Sequence, residues 1–213
     1  MKKRLLIALA ILISFILILN GCQSDQKQAA KIQKIMEKSV VFENDFAANQ
    51  AELNELRNDA RLIYTELINL DINDKDSLNQ KIEKGYTYTK KQQQLVEEAE
   101  ENFKKAYTTS SRIEKHIRKI KDEDQKNQAT KLLTIMNERK KLIDSFFEKY
   151  LENLKLQNTF YQHFKDENIN LQSLNEQIIE INKRTEEMGE IIQKFNHYTK
   201  QYMKAGKDYD QMN

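Results

Sequence analysis

Apolar residues recur at alternating spacings of three and four along most of the chain, with polar residues between them. The stripes run through residues 32–70, 78–120, 133–164 and 171–202. A 3.5-residue repeat held over this length is typical of amphipathic helices that pack along a long seam. The pattern therefore predicts four long, coiled-coil-like helices.

Polar residues interrupt the stripes at positions where the repeat places a seam side chain. Ser39 and Asn49 interrupt the first stripe, Gln92 the second, and Lys140 and Gln157 the third. Such interruptions narrow the apolar face that each helix can bury. We therefore expect a slender rod.

Three short polar segments, 71–76, 121–124 and 165–170, separate the stripes. Links this short favour antiparallel neighbours, so the expected fold is all-α: an elongated up-and-down antiparallel four-helix bundle. Helices of about 34 to 44 residues would make a rod roughly 50–65 Å long.

Helix-capping residues lie in or just after these links. Ser77 and Gln80 have the spacing of a capping box. Asp122, Asp124 and Asn170 have side chains that can accept hydrogen bonds from the first turn of a helix. These residues support helix starts after each link.

The antiparallel arrangement also predicts which residues lie at the same height. In each helix pair, level residues have numbers that sum to about twice the centre of the link, here near 73, 123 and 168. This rule places Phe46, Phe103, Ile143, Phe147 and Met188 in one layer halfway along the rod. We predict that each of them contacts another member of the layer.

The N-terminus has the pattern of an export signal. Lys2, Lys3 and Arg4 precede the apolar segment 5–19, which would span about 22 Å as a helix, less than the roughly 30 Å hydrocarbon core of a bilayer. A basic start, a short apolar stretch and a small residue before a cleavage site are typical of a signal peptide. We expect residues 1–21 to be removed.

The segment ends in Leu19, Asn20, Gly21 and Cys22, which resembles the lipobox that lipoprotein signal peptidase recognises. Asn20 departs from the Ala, Ser or Thr that is usual before the small residue. Cys22 is the single cysteine of the chain, so an internal disulfide or a cysteine metal cluster is not possible. We expect Cys22 to carry a diacylglycerol, which anchors a protein stably to a bilayer.

Removal of the signal peptide changes the composition of the chain. The loss of three basic residues takes the net charge from +2 to −1, so nothing in the composition supports nucleic-acid binding.

The chain has no proline and keeps only three glycines after cleavage, too few turn residues for a β-rich domain. We expect a lipidated tether at 22–26, one helical domain at 27–203 and a flexible tail at 204–213.

Catalytic and metal-binding motifs are absent from the sequence. None of His116, His163 and His197 follows a glutamate by three residues, as a di-metal bundle requires. The oxygen-rich segment 71–76 lacks the glycine and terminal glutamate of an EF-hand calcium loop, so helix capping explains it better. We expect no enzyme activity, no metal and no cofactor other than the lipid on Cys22.

Basic residues gather at the end of the bundle that the predicted topology places beside the membrane. They are Arg112, Lys115, Arg118, Lys119 and Lys121. Compensation of a helix dipole explains basic residues at a helix C-terminus. The alternative is contact with anionic lipid headgroups.

The opposite end of the predicted bundle carries aromatic residues, among them Tyr86, Tyr88 and Tyr161. Core packing accounts for most aromatic side chains in such positions. Exposed tyrosines could instead contact a glycan, since their rings pack on sugars, and Tyr88 lies off the apolar seam.

The lipobox at 19–22, followed by about 190 residues of proline-free amphipathic helix, resembles the YkyA family of cell-wall-binding lipoproteins from Gram-positive bacteria. The resemblance implies a helical bundle with a role at the cell wall, and it implies no catalytic residues.

Together these features predict a non-enzymatic binding or structural protein on the outer face of the cytoplasmic membrane. Its expected partners are membrane lipid, through the anchor, and either a cell-wall glycan or a membrane or surface protein. The alternative function is that of an accessory subunit presenting a helical face to a membrane-protein complex.

Overall fold

The computed structural model describes the backbone of residues 2–69, 74–165 and 170–211, with side chains from Ser24 onward. Within these ranges the chain is helical and contains no β-strand. The elements are α1 (Lys2–Ile68), α2 (Lys75–Ser110), a 3₁₀ turn (Ser111–Ile113), α3 (Glu114–Ile117), α4 (Glu123–His163) and α5 (Leu171–Asp210). The long helices α1, α2, α4 and α5 confirm the predicted up-and-down antiparallel bundle.

Helix α2 begins earlier than the sequence suggests. Its N-cap is Asp74, whose side chain accepts a hydrogen bond from the Ser77 backbone N–H at 3.2 Å. The predicted capping box of Ser77 and Gln80 is therefore wrong, because Ser77 already lies inside the first turn. Residues 70–73, which include Asp71, lie outside the described residues.

The other two helix starts agree with the sequence, except that the prediction of Asp124 as a cap is wrong. Asp122 accepts a hydrogen bond from the Gln125 N–H at 2.8 Å and caps α4, while Asp124 lies in its first turn. Asn170 accepts one from the Ser173 N–H at 3.1 Å and caps α5. The preceding residues 166–169 lie outside the described residues.

Hydrogen bonds and ion pairs between helices show the register of the bundle. Residue numbers of partners on α1 and α2 sum to values near 146, as expected for a link centred at 73. Partners on α2 and α4, and on α4 and α5, sum in the same way to about twice the centre of their own link. The contacts are Ser39 Oγ to the Ala106 carbonyl at 3.0 Å, Tyr150 OH to Gln92 Oε1 at 2.6 Å, and Lys149 Nζ to Glu187 Oε2 at 2.8 Å.

The predicted middle layer contains three of the predicted side chains in ring contact and one aromatic ring that the numbering rule did not place there. Phe46 lies 5.1 Å from Phe103 and 6.4 Å from Phe147 between ring centroids. The fourth aromatic ring is Phe195, at 5.8 Å from Phe46 and 5.7 Å from Phe103. Ile143 and Met188 are buried in the same core cluster. Met188 lies two turns before Phe195 on α5 and about level with Phe147, next to Glu187 of the Lys149–Glu187 pair.

The four long helices do not pack equally on one another. α1 packs on α2, α5 packs on α4, and the two hairpins join through α2 and α4. Among the described residues, the backbones of α1 and α5 come close to each other at few positions. The α1–α5 seam is therefore the open side of the bundle.

The last turns of α5 are packed. The helix continues to Asp210, and the side chains of Ala205 and Tyr209 are 1% exposed. The sequence instead predicts a flexible tail from residue 204, where the structure has packed helix up to Asp210. Tyr209 belongs to the main buried core of the bundle, which explains the longer helix.

Candidate functional site

The open seam between α1 and α5 forms a groove in two connected parts. The part nearer the middle layer has a volume of about 380 Å³, and the part toward the 70–73 link has about 270 Å³. Asn54 and Arg57 line both parts, so the groove is continuous. The larger part alone is within the size range of small-molecule sites, roughly 300–1,000 Å³.

Helix α1 supplies one wall of the groove with polar side chains. Gln50, Asn54 and Asn58 recur every four residues and so share one face of the helix. Arg57 and Arg61 lie beside them, and neither forms an ion pair among the described residues. This wall therefore combines amide groups with free positive charge.

Helix α4 supplies the floor. Tyr150 lies there with the Arg57 guanidinium carbon 5.7 Å from its ring centroid. Burial raises the pKa of Tyr150, with Arg57 opposing the shift, so the phenol stays protonated and donates to Gln92. Asn153 lies one turn further on and donates to Thr185 Oγ1 of α5 at 3.4 Å.

Several buried polar atoms along the groove have no hydrogen-bond partner in the part of the chain that the structure describes. They are Gln92 Nε2 and Asn153 Oδ1, on side chains that are 2% and 3% exposed, together with Gln50 Nε2 and Tyr64 OH. Burial raises the pKa of Tyr64 to about 12, so this hydroxyl stays protonated. A buried polar group without a partner costs about 1–3 kcal/mol, and such groups normally bind water or a ligand.

A buried ion pair closes one end of the groove. Arg139 donates to both carboxylate oxygens of Glu43, at 3.2 and 2.7 Å, and to Thr199 Oγ1 at 3.2 Å. Its guanidinium carbon also lies 5.2 Å from the ring centroid of Phe195 and 4.8 Å from that of Tyr202. These contacts hold α1, α4 and α5 together where the groove ends.

The start of the helical domain is docked at the opposite end from the 70–73 link. The Asp25 carboxylate, 7% exposed, accepts hydrogen bonds from the backbone N–H groups of Lys121 and Asp122 at 2.9–3.2 Å. Gln28 Oε1 lies 2.8 Å from His116 Nδ1, and burial together with nearby lysines lowers the pKa of His116. Among the residues with described side chains, packing thus extends back to Asp25, inside the predicted 22–26 tether.

The predicted basic surface lies beside this docked start. Arg112, Lys115, Arg118, Lys119 and Lys121 are all exposed, and Arg118 pairs with Glu114. Their exposure leaves them accessible to a negatively charged surface, and the lipid-contact interpretation stays a prediction.

The predicted glycan-contact tyrosines do not form one exposed surface. Tyr161 is 1% exposed, and its ring occupies the space above Gly85, where an added Cβ would lie 2.6 Å from the Tyr161 Cζ. Tyr161 is therefore a core residue, and the glycan-contact prediction is wrong for it. Tyr86 and Tyr88 are half-buried against the same core, with Lys165 Nζ 4.9 Å from the Tyr86 ring.

The lipobox side chains of Leu19, Asn20, Gly21 and Cys22 lie outside the residues whose side chains the structure describes. Among the residues with described side chains, no helix is long and apolar enough to cross a membrane. Nor does any group of three His, Cys, Asp or Glu side chains within those residues have the geometry to hold a metal ion.

Comparison with known proteins agrees with this architecture. The YkyA family, described as "Putative cell-wall binding lipoprotein", matches residues 27–212. The chain belongs to the YkyA family. The match covers α1 from Lys27 onward and all of α2 to α5.

One relative and one solved structure extend the comparison. The uncharacterized lipoprotein YkyA of Bacillus subtilis (strain 168) is 25% identical over 210 residues, covering 98% of this chain and 94% of that protein. A crystal structure of a conserved protein of unknown function from Staphylococcus aureus has a TM-score of 0.73 at 17% identity, covering 89% of this chain and 95% of that one. The second likeness shows that the fold is shared.

Sequence reasoning missed the groove of this YkyA-family chain. The apolar stripes identify seam positions, and the groove walls lie beside the seam. The repeat of Gln50, Asn54 and Asn58 at four-residue spacing was the available signal, since it puts three amides on one helix face.

Proposed function

We propose that the chain is exported, lipidated on Cys22 and held on the outer face of the cytoplasmic membrane, where it binds the cell wall without catalysing a reaction. The family match supports a lipoprotein with a cell-wall role. The finer steps, namely the lipobox, the lipid and the non-enzymatic mode of action, come from the sequence and remain our proposal.

The docking of Asp25 is the observation that carries this proposal. Three residue steps separate Cys22 from Asp25, which is at most about 11 Å of chain. The lipid would therefore sit close to the α3–α4 turn and its exposed basic residues. The rod would then rest its basic end on the membrane and extend its other end, with the far half of the groove, toward the wall.

Loss of the lipidated cysteine tests the anchor. Cys22→Ser should abolish incorporation of labelled fatty acid, because a serine hydroxyl does not form the thioether. The protein should remain as unprocessed precursor or be released by another peptidase. Mass spectrometry of the membrane and culture fractions measures both. A mutant with the wild-type mature mass and fatty-acid label would show that Cys22 is not the anchor.

Neutralisation of the basic end tests the orientation. The triple change of Arg118, Lys119 and Lys121 to Gln should weaken binding of the unlipidated chain to anionic vesicles. Each basic residue near such a surface contributes about 1 kcal/mol, so the expected loss is roughly a hundredfold at low salt. Raising the salt should remove the difference, because the screening length falls. Vesicle co-sedimentation measures the binding.

A matched triple variant controls for net charge. Lys84, Lys90 and Lys91 are exposed on α2 away from the basic end, and their change to Gln removes the same charge. The control variant should keep most of the vesicle binding. Equal losses in the two variants would mean that net charge, and no particular end, determines binding.

Co-sedimentation of the processed lipoprotein with purified cell-wall sacculi tests the binding role itself. We expect the protein to pellet with sacculi and to be released without covalent change to the wall. Failure to pellet over a wide range of protein concentrations would contradict the proposal.

An accessory role toward a membrane-protein complex is the second candidate. It is favoured by exposed large apolar side chains on α1 and α5 near the end that carries the 70–73 link: Leu62 at 58%, Ile68 at 44%, Leu171 at 67% and Ile179 at 59%. Exposed apolar groups that cluster often mark protein contacts. Photo-crosslinking from positions 62 and 179 in cells would yield one dominant protein adduct if this role is correct.

A further inference from the structure

The α1–α5 groove offers recognition chemistry that neither the family description nor the apolar pattern assigns. We propose that it binds peptidoglycan through an N-acetylated sugar and its attached short peptide, with Arg57 holding a peptide carboxylate. This inference rests on the proposed cell-wall function and adds to it a site and a ligand class.

The unpartnered atoms of the groove match an amide-bearing ligand. Gln92 Nε2 is a donor and Asn153 Oδ1 an acceptor, both on nearly fully buried side chains that line the same part of the groove. An N-acetyl group or a peptide bond carries one N–H and one C=O, so it can satisfy a donor and an acceptor together. Gln50 and Tyr64 add further unpartnered groups toward either end.

The charge of the groove selects a ligand that carries carboxylates. Arg57 and Arg61 lie in the half toward the 70–73 link, where no acidic side chain lines the groove, and their charges are unpaired among the described residues. Arginine binds carboxylates through two parallel hydrogen bonds. Arg57 lies above the Tyr150 ring, which limits its motion and leaves its N–H groups for a ligand.

The balance of amides and cations argues against a polyphosphate ligand. Polyanions are held by clusters of several arginines and lysines. This groove has two unpaired arginines and a larger number of Asn and Gln side chains: Gln50, Asn54, Asn58, Asn153, Gln157 and Asn182. Its composition therefore fits a mostly neutral ligand with many amides and few charges.

The length of the groove also fits an extended ligand. Gln50 and Tyr64 are fourteen residues apart on α1, which corresponds to about 21 Å. An extended peptide of about six residues spans the same length. A sugar unit with its attached peptide can therefore lie along the groove and contact both walls.

Two groove variants and one control test the proposal. Arg57→Gln removes the charge at a half-buried position, and Asn153→Leu replaces the buried acceptor with an apolar group of similar size. Lys90→Gln also removes one positive charge, on α2 outside the groove, where Lys90 is exposed. Circular dichroism and the melting temperature of each variant show whether it is folded, and Arg57→Gln keeps the test valid if Asn153→Leu is unstable.

The measurement is binding of the processed lipoprotein, in detergent, to a purified disaccharide–peptide fragment by calorimetry, with sacculus co-sedimentation alongside. We expect each groove variant to weaken fragment binding at least tenfold, and Lys90→Gln to leave it unchanged. Amidation of the fragment's carboxylates should weaken binding to the wild type but cause no further loss in Arg57→Gln.

The outcomes separate the groove from the cell-wall role. If the wild type and both groove variants pellet equally with sacculi, the groove is not the site and the cell-wall role stands. If the wild type does not pellet at all, the proposed function fails and this inference with it. Binding of poly(glycerol phosphate) as tight as that of the fragment would overturn the assignment of an amide-bearing ligand.

Discussion

Replacing Phe103 with Ala should lower the free energy of unfolding by about 3–5 kcal/mol, the usual cost of removing a fully buried aromatic ring. The Phe103 ring is 1% exposed and touches the Phe46 and Phe195 rings and the Arg139 guanidinium. Its loss removes contacts to α1, α4 and α5 at once and leaves a cavity that helices tied on several sides cannot close. For a domain of this size the melting temperature should fall by roughly 6–20 °C.

Met203 provides the matched control for this change. Its side chain is 61% exposed on α5, so Met203→Ala removes the Cγ, Sδ and Cε atoms without opening a cavity. The melting temperature of this variant should stay within a few degrees of the wild type. Thermal unfolding followed by circular dichroism at 222 nm gives both values. Equal shifts for Phe103→Ala and Met203→Ala would show that the middle layer is not a packed core.

The helices and their register could be predicted from the sequence because both depend on local information. The spacing of apolar residues determines which face of a helix is buried, and short links force neighbours to be antiparallel. The numbering rule then placed Phe46 beside Phe103, and the structure has the two rings 5.1 Å apart. Asp122 and Asn170 are predictable as caps for the same reason, since capping depends on residues a few positions apart.

The same reasoning failed where a helix has more than one neighbour. The α4 stripe put Lys140 at the seam, whereas the structure buries Arg139 and leaves Lys140 to pair with Asp144. Adjacent residues differ by about 100° around a helix. α4 contacts α2 on one side and α5 on the other, so its buried face is wider than a single stripe. A 3.5-residue repeat cannot decide which residues occupy the second face.

The groove could not be predicted because it depends on how the two hairpins sit against each other. Gln92 and Gln157 are recognisable in the sequence as polar interruptions of the seam, but the repeat does not show that both line a cleft between α1 and α5. Equal packing of all four helices would have filled that space. The sparse approach of α1 to α5 is a tertiary feature, and the amide repeat on α1 was its only sequence signal.

Removal of the Glu43 carboxylate should be the most destabilising single change in the polar part of the core. The Arg139 side chain is 2% exposed, so Glu43→Ala would leave a buried guanidinium without its partner. Breaking a buried pair in this way typically costs about 3–5 kcal/mol. Because Glu43 is 19% exposed and lines the groove, water can reach part of the guanidinium, and we expect a value near the lower limit.

The double variant Glu43→Leu/Arg139→Met distinguishes the interaction free energy of the ion pair from the cost of burying one charge without its partner. It removes both ions and supplies apolar side chains to the space between Phe103, Phe195 and Tyr202, so its stability should return to within about 1 kcal/mol of the wild type or exceed it. Urea unfolding of the wild type, Glu43→Leu, Arg139→Met and the double variant gives the coupling free energy. A coupling near zero, with the single effects simply adding, would mean that the pair does not stabilise the junction of α1, α4 and α5. A large coupling free energy would instead show that the Glu43–Arg139 pair stabilises the packing of α1, α4 and α5 at this end of the groove.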